Sequence, residues 1–387
     1  MATVDRITER HGTIAAWRRE IHQNPELLYD VHATAAFVAD RLREFGVDEI
    51  ATGVGRTGVV ATIKGARDGN RMIGLRADMD ALPIKETTGK PYASKTDGLM
   101  HACGHDGHTA MLLGAAQHLT ETRDFAGTVV VIFQPAEEGG AGARAMIDDG
   151  LMQRWPIDEV FGMHNLPGLP VGEVSMRAGP VMGSTDEFSV TITGRGGHAA
   201  LPHLTIDPLL AAAAVVQALQ SVVARNVNPV APAVLSVTKL NAGSAFNVIA
   251  DTAEIGGTVR ALSDTARVTL EERLRAITES VSAGYGTTAA INFRRGYPVT
   301  INHAEQTEFC ARVAREVVGD DRVATNAPPI MGGEDFSFML QERPGSFVFL
   351  GNGDSAGLHN SNYDFNDEII PYGCSYWVRL VETALTG

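Results

Sequence analysis

Four short apolar segments of this chain each end at, or lead into, a residue that can bind a metal ion. The segments are 72–77, 128–133, 159–163 and 346–350, and the residues that follow them are Asp78 with Asp80, Glu137 with Glu138, His164, and His359. Continuous runs of β-branched and aromatic residues are typical of strands that are buried on both faces of a parallel sheet. Because sites in open α/β sheets form at the carboxyl ends of the strands, we expect these side chains to meet at one edge.

The motif MHACGHDGH at residues 100–108 contains three histidines and one cysteine. Imidazole and thiolate groups bind divalent Zn, Mn, Ni and Co ions, usually together with carboxylates. If the motif is extended, Cys103 and His105 point to the same side, and Gly104 lets the backbone turn closely around an ion. The alternative is a polar helix start that is capped by Asp106. Together with the four strand ends, the motif predicts one metal centre.

Two pairs of carboxylates accompany this motif, and each has two interpretations. Asp78 and Asp80 stand one residue apart and face the same way, either towards a metal or as part of a turn that caps a helix. In the pair Glu137–Glu138, one residue can bind a metal while the other accepts the proton of a metal-activated water. The alternative is an acidic pair at a helix N-terminus. The residues alone do not tell which glutamate has which role.

The order of predicted elements changes between the third and fourth strands. From residue 188 it is strand (188–193), helix (208–225), strand (233–240), strand (253–260), helix (265–283) and strand (288–294). This βαββαβ order is typical of a ferredoxin-like domain, and 387 residues are too many for one ordinary core. We therefore predict an α/β protein whose discontinuous metal-binding catalytic domain (1–183 and 297–387) is interrupted by a second domain (184–296).

Composition excludes several classes of function. The formal net charge of -14 argues against nucleic acid as a partner, because nucleic-acid binding needs basic patches. The longest apolar stretch, 209–216, is far shorter than a membrane span, and residues 1–20 lack the apolar core of a signal peptide. Three cysteines make no disulfide framework. We expect a cytoplasmic protein without a membrane partner.

Three residues of the inserted segment are candidates for substrate contacts. His198 lies on a glycine-rich loop at a strand end, either as a donor that stabilises a tetrahedral oxyanion or as a solvated loop histidine. Arg260 ends a strand and can bind a carboxylate through two parallel hydrogen bonds, with Asn247 as a further donor. The alternative is a surface arginine and a turn asparagine. These alternatives stay open on the residues alone.

Taken together, the motifs resemble the M20 family of metallopeptidases and amidohydrolases. The matching stretches are RADMDALP (76–83), MHACGHDGH (100–108), QPAEE (134–138), MHN (163–165), GRGGHAALP (194–202), NVI (247–249) with Arg260, GGEDF (332–336) and LHN (358–360). They occur in family order and cover nearly the whole chain. The branch that they resemble most is that of the N-acyl-L-amino-acid amidohydrolases, which includes hippurate hydrolases and the plant IAA-amino acid hydrolases.

The resemblance implies a role for each candidate residue. It implies two divalent metal ions (Zn, Mn, Ni or Co) with a bridging thiolate, and the ligands would be Cys103, His105, Glu138, His164 and His359. Glu137 would be the general base and acid, and His198 the oxyanion donor, in its own or a neighbouring subunit. Asn247 and Arg260 would hold the α-carboxylate of the substrate. The inserted domain would be a lid that also forms a homodimer or homotetramer.

Two positions differ from more distant M20 branches. Those branches have a His-x-Asp pair where this chain has Asp78 and Asp80, and a bridging aspartate where it has Cys103. The differences favour the amidohydrolase branch over the aminopeptidases. We expect Asp78 and Asp80 to support a metal ligand without binding the ion.

The expected reaction is hydrolysis of a linear amide, R-CO-NH-CHR'-COO⁻, to a carboxylic acid and a free amino acid. Three related substrate classes stay open, because dipeptidases, carboxypeptidases and N-carbamoyl-amino-acid hydrolases would use the same scaffold. A catalytically silent metal-binding homologue is a further alternative, although a closed structural site has no use for an additional carboxylate such as Glu137.

Overall fold

A computed structural model of the chain describes residues 3–386. Within this range the chain forms two compact units. Unit 1 comprises residues 3–181, 301–328 and 335–386, and unit 2 comprises Met182–Thr300 together with Pro329–Glu334. The assignment of separate functional domains to 1–183 with 297–387 and to 184–296 stays a prediction.

The strands and helices have the following bounds in chain order. The strands are β1 (Glu49–Val54), β2 (Gly58–Lys64), β3 (Arg67–Asp78), β4 (Ala126–Gln134), β5 (Glu159–Pro167), β6 (Val174–Ser175), β7 (Gly179–Met182), β8 (Asp186–Thr193), β9 (Gly197–His198), β10 (Ala233–Ala242), β11 (Val248–Ile249), β12 (Thr252–Ala261), β13 (Thr288–Arg295), β14 (Thr300–Asn302), β15 (Val323–Ala324) and β16 (Gly345–Gly353). The helices are α1 (Asp5–Glu9), α2 (His11–Gln23), α3 (His32–Phe45), α4 (His105–Thr122), α5 (Gly142–Asp148), α6 (Leu151–Arg154), α7 (Pro208–Asn226), α8 (Asp264–Gly284), α9 (Ala304–Val318), α10 (Ser337–Glu342) and α11 (Ile370–Ala384).

Unit 1 is built on a mixed sheet with the strand order β1-β2-β4-β3-β5-β16-β6-β15. Its centre is parallel, because β3 pairs in parallel with both β4 and β5, and β5 with β16. Helix α4 packs on β3 and against α2, α3 and α11, whereas α5 packs on β4. Residues 129–133 of β4 are fully buried, as expected for a strand that is covered on both faces. The α/β fold class is confirmed, and the four predicted strand ends lie side by side.

The structure of unit 1 differs in two places from what the sequence pattern suggests. The amphipathic pattern at 7–21 predicts one surface helix, whereas the structure has two, because α1 ends at Glu9 and α2 begins at His11. The metal motif is not extended, because α4 begins at His105, directly after Gly104 with φ of 97°. A positive φ is readily adopted by glycine, which has no side chain to clash. Cys103 therefore precedes the turn, and His105 occupies the first position of a buried helix.

Unit 2 contains the sheet β10-β12-β8-β13, in which every neighbouring pair is antiparallel. Helices α7 and α8 pack on this sheet. Buried and exposed residues alternate along β8, as expected when only one face of a sheet is covered. The βαββαβ order and this strand order are those of a ferredoxin-like domain.

Helix α7 is long and apolar enough to cross a bilayer by length and composition alone. One third of its apolar window is buried, and Ala211, Val215 and Leu219 belong to the core of unit 2. Such a helix is also found in the cores of soluble proteins, so the expectation of no membrane partner stays a prediction.

Candidate metal centre

The predicted ligands of unit 1 converge at the carboxyl ends of its parallel strands. His164 lies within β5, Glu138 lies on the turn after β4, and His105 opens α4. His359 follows β16, and its backbone N–H donates to the carbonyl of Ala102 at 2.7 Å. This hydrogen bond places the last ligand of the sequence beside the motif that carries the first.

The ligand atoms form two overlapping groups. In one group, the ligand atoms of Cys103, His105 and His164 lie within 4.8 Å of one another, and Cys103 Sγ is 3.3 Å from His164 Nε2. In the other, Cys103 groups with Glu138 and His359, and His359 Nε2 is 3.2 Å from Glu138 Oε1. Cys103 belongs to both groups, which is the position that a bridging ligand requires.

The chemistry of these side chains fits divalent metal ions. His105 Nε2 is buried and has no hydrogen-bond partner among residues 3–386. A buried polar atom without a partner costs free energy, and metal coordination would satisfy this atom. One thiolate, three imidazoles and one carboxylate suit Zn and neighbouring transition metals better than Mg or Ca.

The electrostatics of the site also favour a cation. Burial, followed by the nearby carboxylates of Glu138 and Glu137, raises the pKa of the Cys103 thiol well above its usual value. Burial lowers the pKa of His164 well below its usual value, which leaves this imidazole in its neutral, metal-binding form. A bound cation would reverse the effect on Cys103, because coordination deprotonates a thiol.

His105 is the exception, because its surroundings favour the charged form. Burial opposes its protonation, but Asp78 and Asp80 outweigh burial and raise its pKa to about 10. A metal must therefore displace a proton from His105, so metal binding is expected to weaken as the pH falls.

Asp80 accepts hydrogen bonds from the turn on which Glu137 and Glu138 lie. Its Oδ1 accepts from the backbone N–H of Glu137 at 2.9 Å, and its Oδ2 accepts from that of Glu138 at 3.1 Å. Its carbonyl oxygen lies 2.8 Å from Nδ1 of His105, which directs Nε2 towards the site. Ala136, which precedes the glutamates, has a φ of 55° that is strained for a residue with a side chain. These contacts match the predicted supporting role of Asp80, which stays a prediction.

Asp78 belongs to a second buried network. Its carboxylate lies 2.6 Å from Nδ1 of His108 and accepts from Nη1 of Arg76 at 2.7 Å. Arg76 also donates to Asp335 at 2.9 Å and to Gln134 at 2.8 Å. The network therefore joins the ends of β3 and β4 to the segment before α10.

Sequence reasoning gave no individual role to four of these residues, although each lies in a quoted motif. They are Arg76, His108, Gln134 and Asp335. Arg76 and Asp78 lie on the same face of β3, which the two-residue period of a strand indicates. The partners Gln134 and Asp335 had no comparable signal, because their contacts depend on tertiary structure.

The remaining predicted residues all lie in unit 2. His198 and Val248 are paired across β9 and β11, which places Asn247 next to His198, and the N–H of Ala199 donates to the carbonyl of Asn247 at 3.0 Å. Nδ1 of His198 accepts from the N–H of Ala200 at 3.1 Å, which leaves Nε2 as the donor of the neutral ring. The side chains of His198 and Asn247 are exposed.

Arg260 lies on β12 of the same unit and is half-buried. Its Nη1 donates to the hydroxyl of Thr258 and to the carbonyl oxygens of Val259 and Asp186. These contacts use one terminal nitrogen of the guanidinium group. The substrate-binding roles of His198, Asn247 and Arg260 stay predictions.

Behind the motif, His22 lies buried between two carboxylates, at 2.8 Å from Asp106 and 3.3 Å from Glu86. Burial opposes its protonation, but these carboxylates outweigh burial and raise its pKa to about 9. This pKa lies above the unfolded value of ~6.5. The charged ring therefore stabilises the fold fully below pH ~6.5 and loses this contribution as the pH rises through ~9.

We expect the stability advantage of the wild type over His22→Gln to shrink by ~3 kcal/mol between about pH 6 and pH 10. The measurement is the free energy of unfolding of both metal-free proteins in urea at each pH. An advantage that does not change with pH would mean that His22 is neutral in the folded protein.

Comparison with known proteins identifies the family to which the chain is similar. Residues 74–383 match the model of Peptidase family M20/M25/M40. The chain is 42% identical to a hippurate hydrolase from Campylobacter jejuni over 98% of both chains. It is 40% identical to an IAA-amino acid hydrolase from Arabidopsis thaliana, over 92% of this chain and 82% of that protein.

A solved structure from Bacillus subtilis, described as a dinuclear metal-binding peptidase from the M20 family, is 36% identical and superimposes with a TM-score of 0.86, covering 98% of this chain and 99% of that one. The family match covers most of the chain and contains the five predicted metal ligands. The chain therefore belongs to Peptidase family M20/M25/M40, and the resemblance seen in its motifs is confirmed.

Proposed function

We propose that this chain hydrolyses the amide bond of N-acyl-L-amino acids and releases a carboxylic acid and a free amino acid. The observation that carries the proposal is the convergence of Cys103, His105, Glu138, His164 and His359, with Glu137 on the same turn as Glu138. The names of the two curated relatives support this substrate class. The proposed cofactors are two divalent ions, chosen from Zn, Mn, Ni and Co.

Glu137 is the proposed general base and acid. When bound, the metal ions would acidify a water molecule and polarise the acyl carbonyl group. Glu137 accepts the proton of the attacking water and later delivers it to the amide nitrogen, so that the amine can leave. Asp80 holds the backbone N–H of Glu137 at 2.9 Å, and the Glu137 side chain is 7% exposed. A buried carboxylate in a fixed position suits proton transfer.

Residues of unit 2 are proposed to orient the substrate. Nε2 of His198 donates a hydrogen bond to the acyl oxygen as negative charge develops on it. Arg260 and Asn247 bind the α-carboxylate, since an arginine offers several donors to an anion. His198 acts in its own or in a neighbouring subunit.

The proposal is tested by metal add-back with three substrate classes. Chelated protein is assayed for release of free amino acid from N-benzoylglycine and N-acetyl-methionine, before and after addition of Zn, Mn, Ni or Co. An N-carbamoyl amino acid and a dipeptide are assayed in parallel. Restored hydrolysis of the acyl amino acids alone supports the proposal. Turnover only of the carbamoyl substrate or the dipeptide assigns a related reaction, and silence with all metals that bind points to another amide substrate or to a non-catalytic homologue.

We expect Arg260→Ala to lower kcat/KM for N-acyl amino acids by about 10- to 100-fold, because a hydrogen bond to a charged group is worth ~1.5–3 kcal/mol. Bound metal, measured by elemental analysis, is expected to stay at the wild-type level. The control is Arg294→Ala, which removes an exposed arginine of the same sheet that pairs with Glu187. Loss of metal in the Arg260 variant would contradict a role confined to the substrate carboxylate.

Unit 2 is also the proposed site of self-association into a homodimer or homotetramer. Leu209 and Leu210 on α7 are 48% and 56% exposed, and Leu240 on β10 is 50% exposed. Strand β10 is an edge strand of its sheet, and edge strands can pair with a second copy. Apolar residues on an edge strand and on α7 offer an interface of this kind.

We expect Leu210→Asp to shift the protein towards the monomer, because a charge in an apolar interface loses its hydration. Sedimentation equilibrium measures the change. The control is Val268→Asp on α8, whose side chain is 38% exposed. Equal association of both variants and the wild type would exclude α7 from the interface.

The proposed location is the cytoplasm, where thiols remain reduced. All three cysteines are free and buried, and the proposed role of Cys103 needs a thiolate. Fractionation of the producing cells tests this location.

A further inference from the structure

A buried ionic network lies directly behind the metal motif. Asp106, on the first turn of α4, is fully buried. Two basic residues of the N-terminal helix α2 contact its carboxylate: His22 through Nδ1 at 2.8 Å and Arg18 through Nη1 at 3.4 Å. Both are also buried, and Arg18 has no solvent exposure. Nothing in the proposed reaction uses these three side chains.

Asp106 is placed to transmit the position of α2 to the metal ligands. It follows His105 in sequence, and Gly104 alone separates His105 from Cys103. Gly104 cannot be replaced without a clash, since a Cβ there would lie 2.2 Å from Oδ1 of Asn165. The backbone from Cys103 to Asp106 is therefore tightly packed. A shift of Asp106 would move the first turn of α4 and, with it, Nε2 of His105.

Helix α2 has anchors of its own, independent of Asp106. Arg18 donates through Nε to Asp367 at 2.8 Å, and its guanidinium lies 4.5 Å from the centre of the Tyr92 ring. His22 reaches Glu86 at 3.3 Å, and Glu86 accepts from the N–H of Ser94 at 2.7 Å. Because Arg18 and His22 are held on their far sides, they offer Asp106 a fixed frame.

We propose that Arg18 and His22 are positioning residues of the metal centre, which act through Asp106 to fix the first turn of α4. The inference rests on the proposed metal site and adds a residue set that binds neither metal nor substrate. Residues that orient ligands from outside the coordination sphere typically change metal affinity by about 10- to 100-fold. The charged His22 ring also stabilises the fold, so a readout of metal affinity is needed to distinguish positioning from stability.

The experiment measures Co²⁺ binding, because Co²⁺ reports its ligand geometry through its visible spectrum. Wild-type, Asp106→Asn and His22→Gln proteins are freed of metal and titrated with Co²⁺ in competition with a chelator. Asp106→Asn keeps the shape of the side chain and removes its charge. His22→Gln keeps a donor and removes the cation, and it carries the test if the Asp106 variant does not fold.

The matched control is Asp186→Asn in unit 2. Asp186 is also fully buried and paired with a single arginine, Arg267, at 2.6 Å. Its replacement is expected to lower the melting temperature without changing Co²⁺ affinity. This control separates a general loss of stability from a specific loss of metal positioning.

We expect both network variants to bind Co²⁺ about 10- to 100-fold more weakly than the wild type and to give an altered visible spectrum. Wild-type affinity and spectrum in variants of lowered melting temperature would overturn the inference and assign the network to stability alone. A wild-type protein that binds no Co²⁺ or other divalent metal would instead overturn the proposed metal centre itself, and the inference with it.

Discussion

Replacement of Glu137 by glutamine is expected to lower kcat for N-acyl amino acid hydrolysis by about 10²- to 10⁴-fold, the usual contribution of a general base. Glutamine has the same shape but cannot accept the proton of the attacking water. The backbone contact between Glu137 and Asp80 does not involve the changed group. Steady-state assays with N-benzoylglycine measure the loss, and bound metal is expected to remain at the wild-type level.

The contrasting variant is Glu138→Gln, one residue further along the same turn. Glu138 Oε1 lies 3.2 Å from His359 Nε2 and groups with Cys103, so its loss is expected to lower bound metal as well as activity. If Glu137→Gln retains full activity, the proposed mechanism is wrong. If the two variants exchange their effects, the two glutamates have been assigned in the wrong order.

Replacement of Cys103 by alanine is expected to remove the metal centre. Its thiol lies in both ligand groups, so one substitution takes a ligand from each proposed ion. We expect metal affinity to fall by more than ~100-fold. Removal of a residue that only supports a ligand from outside the coordination sphere typically lowers affinity by about 10- to 100-fold, and removal of a ligand should cost more. Competition titration with a chelator measures the affinity, and activity should follow the bound metal.

Cys374→Ala is the matched control for this experiment. Cys374 is also buried, but its thiol contacts the carbonyl of Met111 and belongs to the hydrophobic core. We expect this variant to lose a little stability and no metal. Stoichiometric metal in Cys103→Ala would show that the thiolate is dispensable and would exclude it as a bridge.

The sheet of unit 1 could be predicted because its central strands have a simple physical requirement. Strands that are covered on both faces need uninterrupted apolar residues, and residues 128–133 meet that requirement. The polar residues that follow such strands then converge because the strands are parallel and adjacent. The pattern of apolar strands and the pattern of metal-binding residues therefore both predicted a site at the carboxyl ends of the parallel strands.

Contacts between distant segments could not be predicted in this way. Arg18 and Asp106 are 88 positions apart, and Arg76 and Asp335 are 259 apart. No local period relates such pairs, and an arginine within an amphipathic helix has the same pattern whether it is buried or exposed. The conformation of residues 103–105 also stayed open, because a two-residue spacing does not reveal that Gly104 turns the chain into a helix.

The pairing of β5 with β16 has a consequence for synthesis of the protein on the ribosome. All of unit 2, including its short segment Pro329–Glu334, lies between these two strands in the sequence. At ~5–20 residues per second, β16 is translated on the order of 10 to 40 seconds after β5. During that interval one edge of β5 in the nascent chain lacks its final partner, and an unpaired edge is prone to aggregation.

His359 is translated after the other four predicted ligands. A nascent chain cannot offer the complete set of proposed donors before residue 359 has been translated. The proposed metal centre is therefore completed only after β16, the last strand of the unit 1 sheet in sequence, has been made.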